Sequence, residues 1–344
     1  MKVAVVGAGI DGASAARQLA ERGHKTVLFE QFALGHTLGS SHGNSRIVRR
    51  AYPDALYTEI MMDAYPMWAQ LQADARIDIL FETGLLYFGS KESPQVESVI
   101  NSLECLQVDH KVLNCTHVKS VFAQLLLEPD EVGVWTPEAG WVHAANAVRA
   151  TLDLAKRSGL EIRENTKVDQ ALLESEFDAF VVCPGAWVTD WLKVPVQVTI
   201  QTYGYIQAHV HGPVWIEDSA ENPYGFPSED GLGMKIGIHE LGPEIDPRDP
   251  HRLPSATAIQ QIEETVRKRF GIKTPHVENS VGCLYTSTDD EDFLFGRLGA
   301  KGFFSSACSG HGFKFGPWVG KVLADFVERR DEPERYFRFF FEPR

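Results

Sequence analysis

The first thirty residues restrict the fold more than any other part of the chain. Lys2-Val3-Ala4-Val5-Val6 is an apolar run of strand length, and Gly7-Ala8-Gly9-Ile10-Asp11-Gly12 follows at once. Residues 13–22 are small or helix-forming as far as Gly23, and Thr26-Val27-Leu28-Phe29 reads as a second strand that ends on Glu30. Strand, glycine turn, helix, strand and acid is the order of a dinucleotide-binding βαβ unit. Gly7 permits the tight turn, Gly9 lets backbone N–H groups approach a pyrophosphate, and Gly12 brings the helix close to the strand. The helix N-terminus adds unpaired N–H groups and a partial positive charge. Glu30, 21 residues beyond Gly9, stands where a carboxylate accepts hydrogen bonds from ribose hydroxyls. A βα turn that binds nothing is the alternative, and the flanking strand, helix and acid argue against it.

Periodicity elsewhere gives an α/β chain. Leu56, Ile60, Ala64, Met67, Trp68 and Leu71 keep helical spacing, and Ser93-Pro94 offers an N-cap and first-turn proline to a helix carrying Val96, Val99, Ile100 and Leu103. Further helices are expected from Ala144 to near Gly159, through Ile259, Ile262, Val266 and Phe270 up to Gly271, and through Val319, Val322, Leu323 and Phe326. Leu160-Glu161-Ile162 and Ala179-Phe180-Val181-Val182 read as strands. Residues 196–240 differ in texture. There Val198 to Ile206 and Met234 to Ile238 alternate in the strand manner between Gly, Pro, Asn and Asp turns, which predicts an antiparallel sheet. The expected architecture is a Rossmann-like α/β cofactor domain over 1–81, 137–199 and 284–344. An antiparallel-sheet substrate domain over 82–136 and 200–283 interrupts it, with a site where the two meet.

Composition excludes several functions. With 33 Lys+Arg against 47 Asp+Glu in 344 residues, the net charge of −14 does not suit a surface that tracks nucleic-acid phosphates, though a local basic pocket remains open. No stretch approaches the roughly 20 apolar residues of a membrane span. The N-terminus lacks the pattern of a secretory signal, and the closing Phe341-Glu342-Pro343-Arg344 lacks a retention, peroxisomal or lipidation signal. Five cysteines, an odd number with no CxxC pair, suit a reduced cytoplasmic protein with no nucleic-acid or membrane partner.

Two further segments carry chemistry. Gly39-Ser40-Ser41-His42-Gly43-Asn44-Ser45-Arg46-Ile47-Val48-Arg49-Arg50 is a flexible, basic loop, able to close over a cofactor and to bind carboxylate or phosphate, or else a solvated surface loop. Ser309-Gly310-His311-Gly312-Phe313-Lys314-Phe315-Gly316-Pro317 follows the strand-like Phe303-Phe304-Ser305-Ser306-Ala307-Cys308 and precedes the last helix. Its glycines allow close backbone approach, and a helix N-terminus there would stabilise negative charge on a reduced flavin ring. A structural turn with a surface lysine is the alternative. His36 and His42 lack ligand spacing, so no metal site is expected.

The stretch Gly39–Arg49 and the Ser309–Phe315 segment resemble the sarcosine oxidase family of flavin amine oxidases, which includes the N-methyltryptophan and L-pipecolate oxidases. Tyr224-Gly225-Phe226-Pro227-Ser228, Lys235-Ile236-Gly237-Ile238-His239 and Cys283-Leu284-Tyr285-Thr286 match in the same order, so the resemblance spans nearly the whole chain. It implies a monomer binding FAD covalently through Cys283, although a buried apolar thiol is the commoner fate of a cysteine. It also implies a carboxylate clamp of Arg49 and Lys314, with Arg46 and His42 as basic residues beside the other flavin face. Lys235 would promote reaction with oxygen, and Tyr224 and His239 would line the substrate side. The implied cofactor contacts are Gly7, Gly9, Ile10, Gly12, Glu30, Gln31, Ser40, Ser41, His42, Arg46, Val168, Gly185, Cys283, Gly310, Gly312, Phe313 and Lys314.

The implied reaction is oxidation of a C–N bond in a secondary amino acid by hydride transfer to flavin N5, with oxygen reduced to hydrogen peroxide. A cationic, partly desolvated pocket favours the neutral amine that this step needs. Oxidation of fructosyl amino acids or glycine, and a dehydrogenase using another acceptor, are the alternatives. Two departures stand out. The chain is short between Val168 and Ala179, and Trp215 lies on a strand expected to border the substrate pocket, where an indole would shrink it unless it simply packs in the sheet.

Overall fold

A computed structural model describes residues 1–229, 231–306, 308–330 and 334–341. Ala307 of the strand-like run and Glu342-Pro343-Arg344 lie outside the described residues. The helices among those residues are α1 (Ile10–Glu21), α2 (Ala55–Ala75), α3 (Pro94–Cys105), α4 (Ala144–Arg157), α5 (Gln170–Glu176), α6 (Ala256–Phe270) and α7 (Gly316–Val327). Their ends follow local chemistry. Ser93 caps α3 by accepting from the N–H groups of Gln95 and Val96, and Gly271 ends α6 in the left-handed conformation at φ 65°. None of these helices is long and apolar enough to cross a membrane.

One sheet of seven strands carries the dinucleotide turn. Its order is Phe340–Phe341, Leu294–Leu298, Gly302–Ser306, Ala179–Val182, Lys2–Val6, Lys25–Phe29 and Glu161–Arg163. Lys2–Val6 is parallel to both neighbours, Ala179–Val182 and Lys25–Phe29, and Val3, Ala4 and Val5 are wholly buried. Burial on both faces explains why these strands read as continuous apolar runs and not as alternating ones. Helices α1, α4 and α7 pack through Ala13, Ala16, Ala147, Ala155 and Val322 into the core on one face, and α5 covers Phe180 and Phe304 on the other. The short connection between Val168 and Ala179 is thus a seven-residue helix.

A second sheet has eight strands, in the order Val277–Ser287, Gln197–Ile206, Gly233–Ile238, Pro223–Glu229, Val214–Glu217, Leu85–Ser90, Glu131–Thr136 and Lys111–Asn114. Gln197–Ile206 and Gly233–Ile238 pair antiparallel, as the alternation in 196–240 predicts. The sheet departs from a purely antiparallel one at a single place, where Val214–Glu217 runs parallel to Leu85–Ser90. Trp215 does not border the cavity. Its indole is wholly buried against Phe88 and Phe270, on the side covered by α6, while its neighbour Ile216 points into the cavity. Strand alternation explains this, because successive side chains face opposite sides of the sheet. The basic loop is also less free than its composition suggests. Ser45–Val48 is a strand paired antiparallel with Gly140–His143, which fixes the direction of Arg46.

Candidate active site

A continuous cavity of about 1060 Å³ runs from the Gly7–Gly12 turn to the second sheet. At its first end Gly7 has φ 95°, a conformation that glycine tolerates, and a Cβ there would collide with the carbonyl oxygen of Cys183. Glu30, 4% exposed, accepts from the backbone N–H of Ala8 at 2.8 Å and of Phe32 at 2.9 Å. Burial opposes the charge of this carboxyl, but His36 and these two N–H groups outweigh it and lower its pKa. Ser41 Oγ accepts from Ile10 N at 3.1 Å, so the 39–50 segment closes directly on the glycine turn.

Arg46 and Lys235 occupy the middle. The Arg46 guanidinium donates to the carbonyls of Ser40 (2.9 Å), His42 (2.7 Å) and Ser45 (2.9 Å), holding its own loop in shape. Lys235 is 2% exposed and comes from the second sheet. Its Nζ donates to Ser45 O at 2.9 Å and Ser45 Oγ at 3.2 Å, and lies 4.3 Å from the Tyr203 ring centre. Burial, joined by the Arg46 charge and opposed by Glu229, brings the Lys235 ammonium down to about 7. His42 falls to about 4, by burial and then by Arg46 and Lys235. Burial thus works against a charge on the ring that the resemblance implies as a basic group. Cys283 is buried nearby. Burial raises its thiol pKa, and Arg46 and Lys235 pull it back.

The far end gathers a second basic set. Lys314 Nζ donates to Tyr52 Oη at 2.9 Å and His311 O at 2.8 Å. Arg49 lies 4.0 Å over the Tyr52 ring and donates to Ala51 O. Two cationic side chains thus converge on one tyrosine, whose own hydroxyl burial pushes up to about 12. Lys314 is 6% exposed, and burial followed by the Arg49 charge takes its ammonium well below the usual lysine range. A standing pair of cations was expected. In the cavity, burial and Arg49 both work against the Lys314 charge, so an entering anion would favour it. His239 is lowered to about 4 by burial, then by Arg49 and Lys314, which puts it beside the same pair. Its Nδ1 lies 3.3 Å from Tyr285 Oη, and Tyr285 is hydrogen-bonded in turn to Tyr224.

Against this geometry, the family model described as FAD dependent oxidoreductase (DAO) matches residues 2–326. The chain belongs to that family. Human peroxisomal sarcosine oxidase is 32% identical over 358 residues, covering 93% of this chain and 90% of that one. Monomeric sarcosine oxidase of Streptomyces avermitilis is 30% identical, covering 94% and 93%. Among solved structures, NikD, an unusual amino acid oxidase essential for nikkomycin biosynthesis, superposes with a TM-score of 0.85 at 20% identity, covering 98% of this chain and 96% of that one.

The residues of this FAD-dependent oxidoreductase suit its cofactor. The Gly7–Gly12 turn keeps its tight shape only with glycine, since a Cβ at Gly7 would meet Cys183 O and one at Gly12 would meet Gly7 O. Gly310, at φ 73°, lets the 309–314 loop pass against the Tyr285 ring, and the buried His42 Nε2 has no partner within the protein. All the residues named from the sequence as candidate site residues line this one cavity, from Gly7, Gly9, Ile10, Gly12, Glu30 and Gln31 to Val168, Gly185, Cys283, Gly310, Gly312, Phe313 and Lys314. One detail differs. Gly312–Phe315 is a 3-10 turn, so α7 begins only at Gly316, beyond the glycines.

Sequence reasoning missed Tyr52, Ser45, Glu229 and the role of Tyr285 in ordering His239. Tyr285 was within reach, since it lies two residues from Cys283 on a strand and so shares its face. Nothing in the sequence pairs Glu229 with Ser45, whose Oγ donates at 2.8 Å from the Ser45–Val48 strand to this carboxylate of the second sheet.

Proposed function

We propose that the protein is an FAD-dependent oxidase of secondary amino acids, acting on sarcosine, another N-methyl amino acid or a cyclic imino acid such as L-pipecolate. The observation that carries the reading is the convergence of Arg49 and Lys314 on Tyr52, beside His239, in the cavity that begins at the dinucleotide turn. The two relatives named as sarcosine oxidases act on a substrate of this class.

Arg49 and Lys314 bind the substrate carboxylate, and the entering anion offsets the burial that works against the Lys314 ammonium. His239, kept neutral, can accept a hydrogen bond from the substrate amine, with Tyr285 fixing its ring, while the ammonium's proton leaves to solvent. The buried, arginine-bearing pocket disfavours a second cation, so the amine loses its proton as it enters. Bound FAD supplies the electron-pair acceptor for C–N oxidation and is reoxidised by oxygen, giving hydrogen peroxide. Lys235, near neutrality on the Arg46 side, offers a positive charge to oxygen as it becomes reduced. Lys235 therefore favours an oxidase over a dehydrogenase.

We further propose that Cys283 carries the flavin, with Arg46 and Lys235 supporting the thiolate. The relatives named monomeric, and the five unpaired cysteines, support a cytoplasmic monomer. Oxygen consumption across sarcosine, N-methyl amino acids, L-pipecolate, fructosyl amino acids and glycine tests the substrate class. Turnover of the last two alone would refute it. Acid precipitation tests the link. The pellet is expected to be yellow for the native protein and colourless for Cys283→Ala, and yellow supernatant from the native protein would refute covalent attachment.

A further inference from the structure

Asp11 is the one carboxyl inside the glycine turn, and the scheme above gives it no task. It occupies the first turn of α1, where its side chain faces the main cavity on one side. On the other it faces a void of about 10 Å³ lined by Phe293, Ser305, Ser306, Cys308, Gly312 and Val319, at the lower limit for one water. It therefore sits between the Gly7–Gly12 turn and the Gly310–Lys314 loop, along the stretch that joins the phosphate end of the cavity to the ring end.

Its surroundings are unusual for a carboxylate. Ser305 Oγ donates to Oδ2 at a long 3.3 Å. The titratable neighbours are two thiols, buried Cys183 from the turn after Ala179–Val182 and half-buried Cys308 from the loop after Gly302–Ser306. From α7 the only neighbour in the void is apolar Val319. No lysine, arginine or histidine among the described residues acts on Asp11, and burial, opposed only by Ser305, lifts its carboxyl from 3.8 to about 7. A helix N-terminus ordinarily favours an anion in its first turn. In this fold the same N–H groups serve a pyrophosphate, and that charge would add repulsion to burial. A neutral acid also has one O–H to donate, whereas a carboxylate has none.

We propose that Asp11 is a proton-linked positioning residue for FAD: as the neutral acid it donates a hydrogen bond to the cofactor between the two cradles, and as the carboxylate it weakens FAD binding. Cofactor binding then carries the uptake of one proton, and affinity falls about tenfold per pH unit above the apoprotein's titration point. This rests on FAD binding alone and not on the substrate assigned above.

The test measures the FAD dissociation constant by flavin fluorescence quenching from pH 6 to 9 in a Cys283→Ala background, with and without Asp11→Asn. With Asp11 the constant should rise about tenfold per unit above pH 7, and with D11N it should stay level. Lys235 titrates in the same range, and the D11N arm separates the two. On the holoenzyme, infrared difference spectra at pH 7.5 should contain a protonated carboxylic acid band that D11N removes. A level profile with Asp11 present, an unchanged slope in D11N, or a carboxylate band in the holoenzyme would each overturn the proposal. Should D11N fail to fold, Lys235→Met removes the competing titration, and a level profile in that variant overturns the proposal.

Discussion

Replacing Lys235 by methionine should make the protein more stable, even though we assign that lysine to the chemistry. Its ammonium falls from 10.5 to about 7 on folding, chiefly through burial and then through Arg46. Holding the charge inside therefore costs ~5 kcal/mol wherever the pH is below 7. Methionine keeps the length of the side chain without the charge and gives up the hydrogen bonds to Ser45 O and Oγ, worth about 1 kcal/mol each. The expected gain is ~3 kcal/mol at pH 6.

The sign of the pH effect follows from proton counting. Between pH 7 and 10.5 the unfolded chain binds more protons at this position than the folded one, so the native protein gains stability as pH rises through that window. Lys235→Met lacks this gain, and its advantage should shrink to roughly zero by pH 9. Urea unfolding of both proteins at pH 6 and pH 9, at matched flavin content, measures the difference. A variant no more stable than the parent at pH 6, or one equally advantaged at both pH values, would refute the reasoning. Its oxygen reactivity should fall while its stability rises, the exchange expected where a site stores an unfavourable charge.

Other substitutions test other parts. Lys314→Met should weaken simple carboxylate inhibitors about 10- to 100-fold, the value of one charge-assisted hydrogen bond, as read by perturbation of the flavin spectrum. In the native protein the same affinity should decline as pH rises, because burial lowers the Lys314 ammonium and the carboxylate is bound by its charged form. Gly7→Ala should abolish flavin loading, seen as loss of the yellow colour per mole of folded protein. Arg269, 1% exposed, binds Glu217 at 2.7 Å and Glu131 at 2.7 Å, and Arg269→Met should cost about 3–5 kcal/mol in urea unfolding by leaving Glu217 only Lys268 at 3.8 Å and Glu131 only the Glu128 N–H. Glu131 is held below its ordinary value by Arg269 against burial. Its share of stability is thus present above the unfolded carboxyl value and lost as pH falls through the folded one.

The parts of the molecule that were legible from sequence are those whose causes are local. The glycine turn, the Ser93 cap and the Gly271 stop each depend on residues within a few positions of one another, and each lies where expected. The Ser45–Val48 strand was not legible, because its partner Gly140–His143 lies nearly a hundred residues away and its own composition is that of a loop. Trp215 illustrates a finer failure. Its strand was placed beside the cavity, but the direction of its side chain depends on register, and one residue of register exchanges the two faces. The residues that line the cavity were legible as a set of motifs. Their protonation states were not, since burial is a property of the assembled fold.

That last point explains a division of labour among the basic groups. Six of them, Arg46, Arg49, His42, Lys235, His239 and Lys314, line one poorly solvated cavity. Six positive charges confined there would repel one another and lack solvation. The two arginines do not lose their protons, and each is anchored, Arg46 by three backbone carbonyls and Arg49 by Ala51 O and the Tyr52 ring. The four others are lowered by burial and by those same arginines. The arginines therefore set a fixed field, while burial works against a standing charge on each of the lysines and histidines. Lysine at 235 and 314 is thus not interchangeable with arginine. A permanent guanidinium there could not give up its charge between ligands, and the folded protein would carry that repulsion throughout the cycle.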